Sequence, residues 1–222
     1  MKVFAAACLL MLATSGALGQ ERFLKFVDEA AEDPSFLAFR TRLIVAAERR
    51  DTKFILSVLD RNIKVSFGGD GGLADFTDYW KIESGDPRFW DEFRPVIKNG
   101  GVWLRENGRR TGTFTAPYSF QGFPENLDVY EHSVIFGRDV NLRERPSVDS
   151  RWLGTLSYNI VKVIDSVMKK GSDNKADWQK VRTLGGTTGW VKAEFVRSPI
   201  DYRAGFEKKR GVWKMTFFIA GD

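Results

Sequence analysis

The sequence predicts a mixed α+β protein: a helical N-terminal part with an antiparallel sheet, then a small β-barrel, then a C-terminal β-hairpin. Three observations predict it. Apolar residues recur at helical spacing through the first quarter of the chain, as in Phe36, Leu37, Phe39, Leu43, Ile44 and Ala47. Between Val134 and Val196, short β-branched and aromatic runs alternate with polar turns. At the end, Tyr202 to Phe206 and Val212 to Ile219 flank the charged turn Glu207-Lys208-Lys209-Arg210-Gly211. The divisions that follow are 1–19, a helical α+β part at 20–130, the barrel at 131–198, and the hairpin at 199–222, returning to the first domain.

Residues 1–19 have the layout of a secretory signal. Lys2 supplies the positive region, Phe4 to Leu12 the apolar core and Ala17-Leu18-Gly19 the small-residue cleavage pattern. The apolar core is too short for a permanent span, and no later stretch reaches the ~20 apolar residues a transmembrane helix needs. The chain is therefore expected outside the cytoplasm, in a periplasm or beyond it, with no membrane span. Cys8 is the single cysteine and falls inside that segment, so the exported chain has no thiol and no disulfide.

Phe23, Leu24, Phe26, Val27, Ala30 and Ala31 predict a first helix from Glu21, ended by Asp33-Pro34 because the residue before proline avoids helical angles. Ser35 is the expected N-cap of the second helix, and Asp51 or Thr52 that of a third carrying Phe54, Ile55, Val58 and Leu59 inward. Ile63, Val65 and Phe67 alternate as a strand, and Gly68-Gly69-Asp70-Gly71-Gly72 ends it. A short helix follows around Asp75 to Ile82. Asp86-Pro87 opens another, with Phe89, Trp90, Phe93, Val96 and Ile97 on one side and Pro95 kinking its last turn. Gly112 to Phe120 mixes strand-forming residues with Pro117, and reads as either edge strand or loop.

In the barrel, Val140 and Leu142 alternate with Asn141 and Arg143, and Arg145-Pro146-Ser147 breaks the ladder. Trp152 to Leu156, Ile160 to Ile164, Trp178 to Leu184 and Gly189 to Val196 continue the pattern, with a long polar loop expected over 165–177. Four motifs in order carry a family resemblance: Val140-Asn141-Leu142-Arg143-Glu144-Arg145-Pro146, Leu153-Gly154-Thr155-Leu156, Trp178-Gln179-Lys180-Val181 and Gly189-Trp190-Val191. Residues about 134–197 resemble bacterial Src-homology-3 (SH3-like) domains, small β-barrels that often accompany cell-wall hydrolases. The run Phe206 to Met215 resembles the terminal hairpin of nuclear-transport-factor-2-like domains. That second resemblance implies a barrel inserted between a helical half and its last two strands.

Catalysis by the usual groups is short of residues. A thiol peptidase needs a cysteine, and a zinc site needs about three ligands, whereas His132 is the single histidine. No Gly-x-Ser-x-Gly elbow occurs, and the glycine run 68–72 lacks both the Lys-Ser/Thr of a phosphate loop and the spaced acids of a calcium loop. No catalytic residue, metal site or cofactor is expected, although a pair of glycosidase carboxylates is a pattern that sequence cannot recognise. The formal charge of +5, or +4 without Lys2, suits acidic polymers or plain solubility. The basic residues are too scattered for nucleic acid.

Binding remains. Trp152, Tyr158, Trp178 and Trp190 offer aromatic faces for sugar rings or stem peptides, while the resemblance implies that the rings of Trp178 and Trp190 mostly complete the barrel core. Arg143 and Arg145 stand ready to hold carboxylates, or are solvated surface charge. The expectation is an exported, non-catalytic binding protein docking on cell-envelope material, either peptidoglycan or an envelope protein. The alternative is a small-molecule pocket or enzyme in the helical domain, lined by Phe76, Tyr79, Trp80, Phe89, Trp90, Phe93 and Trp103, which are otherwise plain core.

Overall fold

A computed structural model describes residues 19–69, 71–172 and 175–221. The expected signal segment, apart from Gly19, lies outside the described residues, as does Asp70 of the glycine run. The fold is mixed α+β, with helices in the N-terminal part and most strands after them. Its helices are α1 (Pro34–Arg49), α2 (Thr52–Val58), α3 (Leu73–Trp80), α4 (Arg88–Lys98) and the short α5 (Ser119–Gly122). The first sheet contains β1 (Leu59–Lys64), β2 (Val102–Glu106), β3 (Arg109–Ala116), β11 (Arg203–Lys209) and β12 (Val212–Ile219), in the order β1-β12-β11-β3-β2. The second contains β4 (Ser133–Ile135), β5 (Val140–Arg143), β6 (Trp152–Leu156), β7 (Ile160–Met168), β8 (Ala176–Thr183), β9 (Thr188–Lys192) and β10 (Val196–Arg197), in the order β10-β4-β7-β8-β9-β5-β6.

The first sheet draws its strands from both ends of the chain. β12 pairs in parallel with β1 and antiparallel with β11, which in turn pairs with β3. Helices α1, α3 and α4 bury Phe36, Phe39, Trp80, Phe89 and Phe93 against Phe114, Phe206, Met215 and Phe218 of this sheet. The rings meet edge-on or offset, as in Phe36–Trp213 at 4.9 Å and Phe89–Phe93 at 4.9 Å. Aromatic quadrupoles favour such arrangements over face-to-face sandwiches. Phe76, Trp80, Phe89, Trp90, Phe93 and Trp103 are thus core, and Tyr79 is exposed. Six of the seven aromatics that the alternative reading assigns to a pocket lining therefore pack as core.

The helix expected over 21–31 is replaced by an extended segment with a 3-10 turn at Ala30–Glu32. Tertiary partners take its backbone hydrogen bonds. The Leu24 amide donates to the Tyr158 carbonyl at 2.8 Å, the Ile160 amide to the Arg22 carbonyl at 2.9 Å, and the Gly101 amide to the Val27 carbonyl at 3.1 Å. A buried backbone group needs a partner, and these pairings supply one where a helix would have supplied its own. The segment straps one sheet to the other. Leu24 also joins a small second core with Tyr118, Phe123, Val134, Phe136 and Ile160.

Other boundaries shift for local reasons. Asp33, not Ser35, caps α1: its carboxylate accepts from the amides of Ser35 and Phe36, and Pro34 occupies the first helical position, where no N–H is missed. β1 begins at Leu59, directly after α2, and covers 59–64 rather than 63–67. Gly112 to Phe120 divides into the end of β3 and the start of α5, and its partner strand β2 was not anticipated. The polar loop expected over 165–177 is shorter, because β7 runs to Met168 and β8 starts at Ala176, with cross-strand pairs such as Val167–Trp178. In β12, Trp213 and Met215 face the helices, but Phe217 does not. A register shift at Gly205/Phe206 opposes Gly205 to Phe217 and Phe206 to Met215, a β-bulge that turns Phe218 inward and Phe217 to the other face.

The second sheet curls around Ile135, Val140, Leu142, Leu156, Val161, Val181 and Val191, one cluster fed by six of its seven strands. Gly189 permits the closest approach. A Cβ there would lie 2.6 Å from Leu142 Cγ, so any larger residue would push β5 from β9.

Candidate functional site

Strand alternation sorts the barrel residues into two faces. Leu142, Val181 and Val191 point into the apolar cluster, so Arg143, Lys180, Trp178, Trp190 and Lys192 lie on the other side. Arg143 is the register partner of both Trp152 on β6 and Trp190 on β9. Lys180 pairs with Trp190, and Lys192 with Trp178. Directly opposed residues share a face, so tryptophans and cations alternate across four strands, β6, β5, β9 and β8.

These residues do not all reach one place. A shallow groove of about 180 Å³ brings together Arg143, Trp178, Lys192, Val148 and Phe195, with Arg138 and Asp139 at its rim. The Lys192 ammonium stands 4.6 Å from the centroid of the Trp178 ring and 2.9 Å from Asp177 Oδ1. Such a cation–π contact contributes roughly 0.5–1 kcal/mol near a surface, and with the Asp177 ion pair it biases the lysine head toward the ring. Arg143 donates from Nη1 to the Ser150 carbonyl at 2.9 Å, which fixes the guanidinium beside the 144–151 turn.

The remaining aromatic and basic candidates stand apart from that groove. Trp152 is 58% exposed on the edge strand β6. Trp190 is 8% and Trp178 5% exposed, both largely buried, though on the face opposite the apolar cluster. Arg145 is exposed on the turn, its backbone amide donating to Ser150 Oγ at 2.8 Å. Tyr158 adopts a left-handed backbone (φ 59°) and faces Arg138 at 5.7 Å and Phe26 at 6.3 Å. Its carbonyl receives the N-terminal strap. His132 is buried, with Nδ1 donating to the Asp128 carbonyl at 2.9 Å, a structural bond four residues back.

A larger cleft of about 780 Å³ separates α4 from the barrel, and pattern reading did not find it. Asp91, Glu92, Lys175, Arg197 and Asp201 meet there from four segments. Lys175 Nζ lies 3.2 Å from Asp91 Oδ2 and 3.9 Å from Glu92 Oε1, while Arg197 Nη1 lies 3.4 Å from Asp201 Oδ2. Burial pushes the Glu92 carboxyl above its ordinary range, and the Asp201 charge adds to this. Burial likewise lowers the Arg197 guanidinium. Each of these residues is an ordinary surface type in sequence, and only the packing of α4 on the barrel collects them. Among the described residues, no group of three or more His, Cys, Asp or Glu is placed to hold a metal ion, and no helix is long and apolar enough to cross a membrane.

Residues 138–197 match the family model of the bacterial SH3 domain. The match contains every residue that lines the groove, and it covers Val140, Arg143, Trp152, Tyr158, Trp178 and Trp190. A search of curated proteins found no match to the chain.

Proposed function

We propose that this is an exported, non-catalytic binding protein whose SH3 domain docks on cell-envelope material, peptidoglycan or an envelope protein. The observation that carries the reading is the barrel groove. An aromatic wall at Trp178 stands beside fixed cations, Lys192 at 4.6 Å from the ring and Arg143 held by the Ser150 carbonyl. A stem peptide offers carboxylates to such cations and short apolar side chains to such a ring. Export is supported by the charged, apolar and small-residue order of positions 1–19.

The test is co-sedimentation of the purified protein with cell-wall sacculi. The double variant Trp178→Ala/Lys192→Glu is expected to lower the bound fraction at least about tenfold, the sum of a lost aromatic contact and a reversed charge. Lys53→Glu carries the same change of charge at an exposed position of α2, outside the groove, and is expected to bind as the parent does. Equal loss in both variants would mean that sedimentation reports net charge alone, and no sedimentation of the parent protein would end the peptidoglycan reading.

A further inference from the structure

The face of the first sheet that turns away from the helices carries a second concavity, unrelated to the barrel groove and independent of the docking reading. The β12 bulge makes it. By turning Phe217 out of the helix-packed core, the bulge lays that ring over β11, and Gly205 leaves the room: a Cβ there would come within 2.0 Å of Phe217 Cε1. Leu104 on β2 continues the apolar floor. Phe67 and Phe120 wall it, with the Arg203 guanidinium between them, 5.1 Å from the first ring centroid and 4.7 Å from the second. Phe67 is 56% exposed. The open cleft measures about 610 Å³, within the range of small-molecule sites. Among the described residues, its charged lining consists of two cations, Lys64 and Arg203.

We propose that this cleft binds one free single-chain amphiphile with an anionic head, the acyl chain lying along Phe217 and Leu104 and the head at Lys64. The apolar floor selects the chain, since each buried methylene contributes about 0.8 kcal/mol. The Lys64 ammonium selects the sign of the head.

Titration calorimetry with dodecanoate below its micellar concentration tests this on the purified protein. Saturable one-to-one binding is expected, with 1-dodecanol at least about fivefold weaker because it lacks the charge. Absence of saturable binding, or equal affinity for the alcohol, overturns the proposal. Gly205→Ala is expected to drive the Phe217 ring into the cavity and abolish binding. Because that variant risks misfolding, Phe67→Asp provides the second arm, with its fold verified by circular dichroism. The exposed position tolerates the change, and the new carboxylate repels the head. Loss of dodecanoate binding by a folded Phe67→Asp protein supports the site, and unchanged binding overturns it.

Discussion

Asp28 and Arg40 form the ion pair that fastens the N-terminal strap to the helical layer, with Oδ1 and Nη1 2.6 Å apart. Arg40 is 6% exposed overall, and its Nε also donates to the Ile97 carbonyl at 3.0 Å, so one guanidinium ties the strap, α1 and α4 together.

Asp28→Ala leaves that buried guanidinium with half its partners. Removing one member of a buried pair costs up to 3–5 kcal/mol, and the partial exposure of Asp28 reduces the expected loss to about 2 kcal/mol. Urea unfolding measures it. A loss below about 0.5 kcal/mol would show that the strap is held by its backbone bonds alone.

Leu24→Ala probes the second core that joins the two sheets. Leu24 is buried with Tyr118, Phe136 and Ile160, and truncation of a core leucine costs roughly 2–5 kcal/mol through lost transfer energy and a residual cavity. The lower half of that range is expected, because the strap can settle toward the gap. Thermal unfolding followed by tryptophan fluorescence gives the value, and a neutral outcome would mean that the strap is only loosely docked.

Glu92 gives stability an opposite pH dependence from the other perturbed carboxylates. Its folded pKa is raised, by burial first and by Asp201 second, so the folded state holds its proton more tightly than the unfolded chain does. Its contribution is therefore fully present below the ordinary value of 4.5 and is lost as pH rises above it. Asp33 and Asp60 behave the other way. Ser35 and the helix amides hold Asp33 down, and at Asp60 the Lys209 and Asn62 hydrogen bonds outweigh burial, so both contribute above their ordinary values and lose that contribution in acid. Glu92→Gln is expected to gain stability relative to the parent between pH 4 and pH 7, read as the difference in urea midpoint at the two values. The same difference at both would remove Glu92 from the pH dependence.

Much of the barrel was legible because its constraints are local. Val140 and Leu142 alternate with polar neighbours, and strands β6 to β9 each announce themselves by β-branched or aromatic runs between turns. The helices α1, α2 and α4 were legible for a similar reason, since their apolar stripes and the Asp51 cap are written within a few residues. The strap was not. Phe23, Leu24, Phe26 and Val27 fit a helix by spacing, yet the Leu24 amide pairs with Tyr158, the Arg22 carbonyl with Ile160 and the Val27 carbonyl with Gly101, more than seventy positions away. The candidate residues divide along the same line: Arg143 and Trp178 share a groove, whereas Trp152, Tyr158 and Arg145 stand apart.

By itself the sequence determined the mixed α+β class, the SH3-like stretch, and the absence of a thiol after position 19, because periodicity, turn residues and residue counts are properties of the chain alone. Tertiary structure alone decided the pairing of β12 with β1, the bulge that sends Phe217 away from the helices, and the meeting of Glu92 with Arg197 and Asp201. These depend on which distant backbone groups find each other, and that choice is settled by the energy of the whole packed molecule rather than by any short stretch of it.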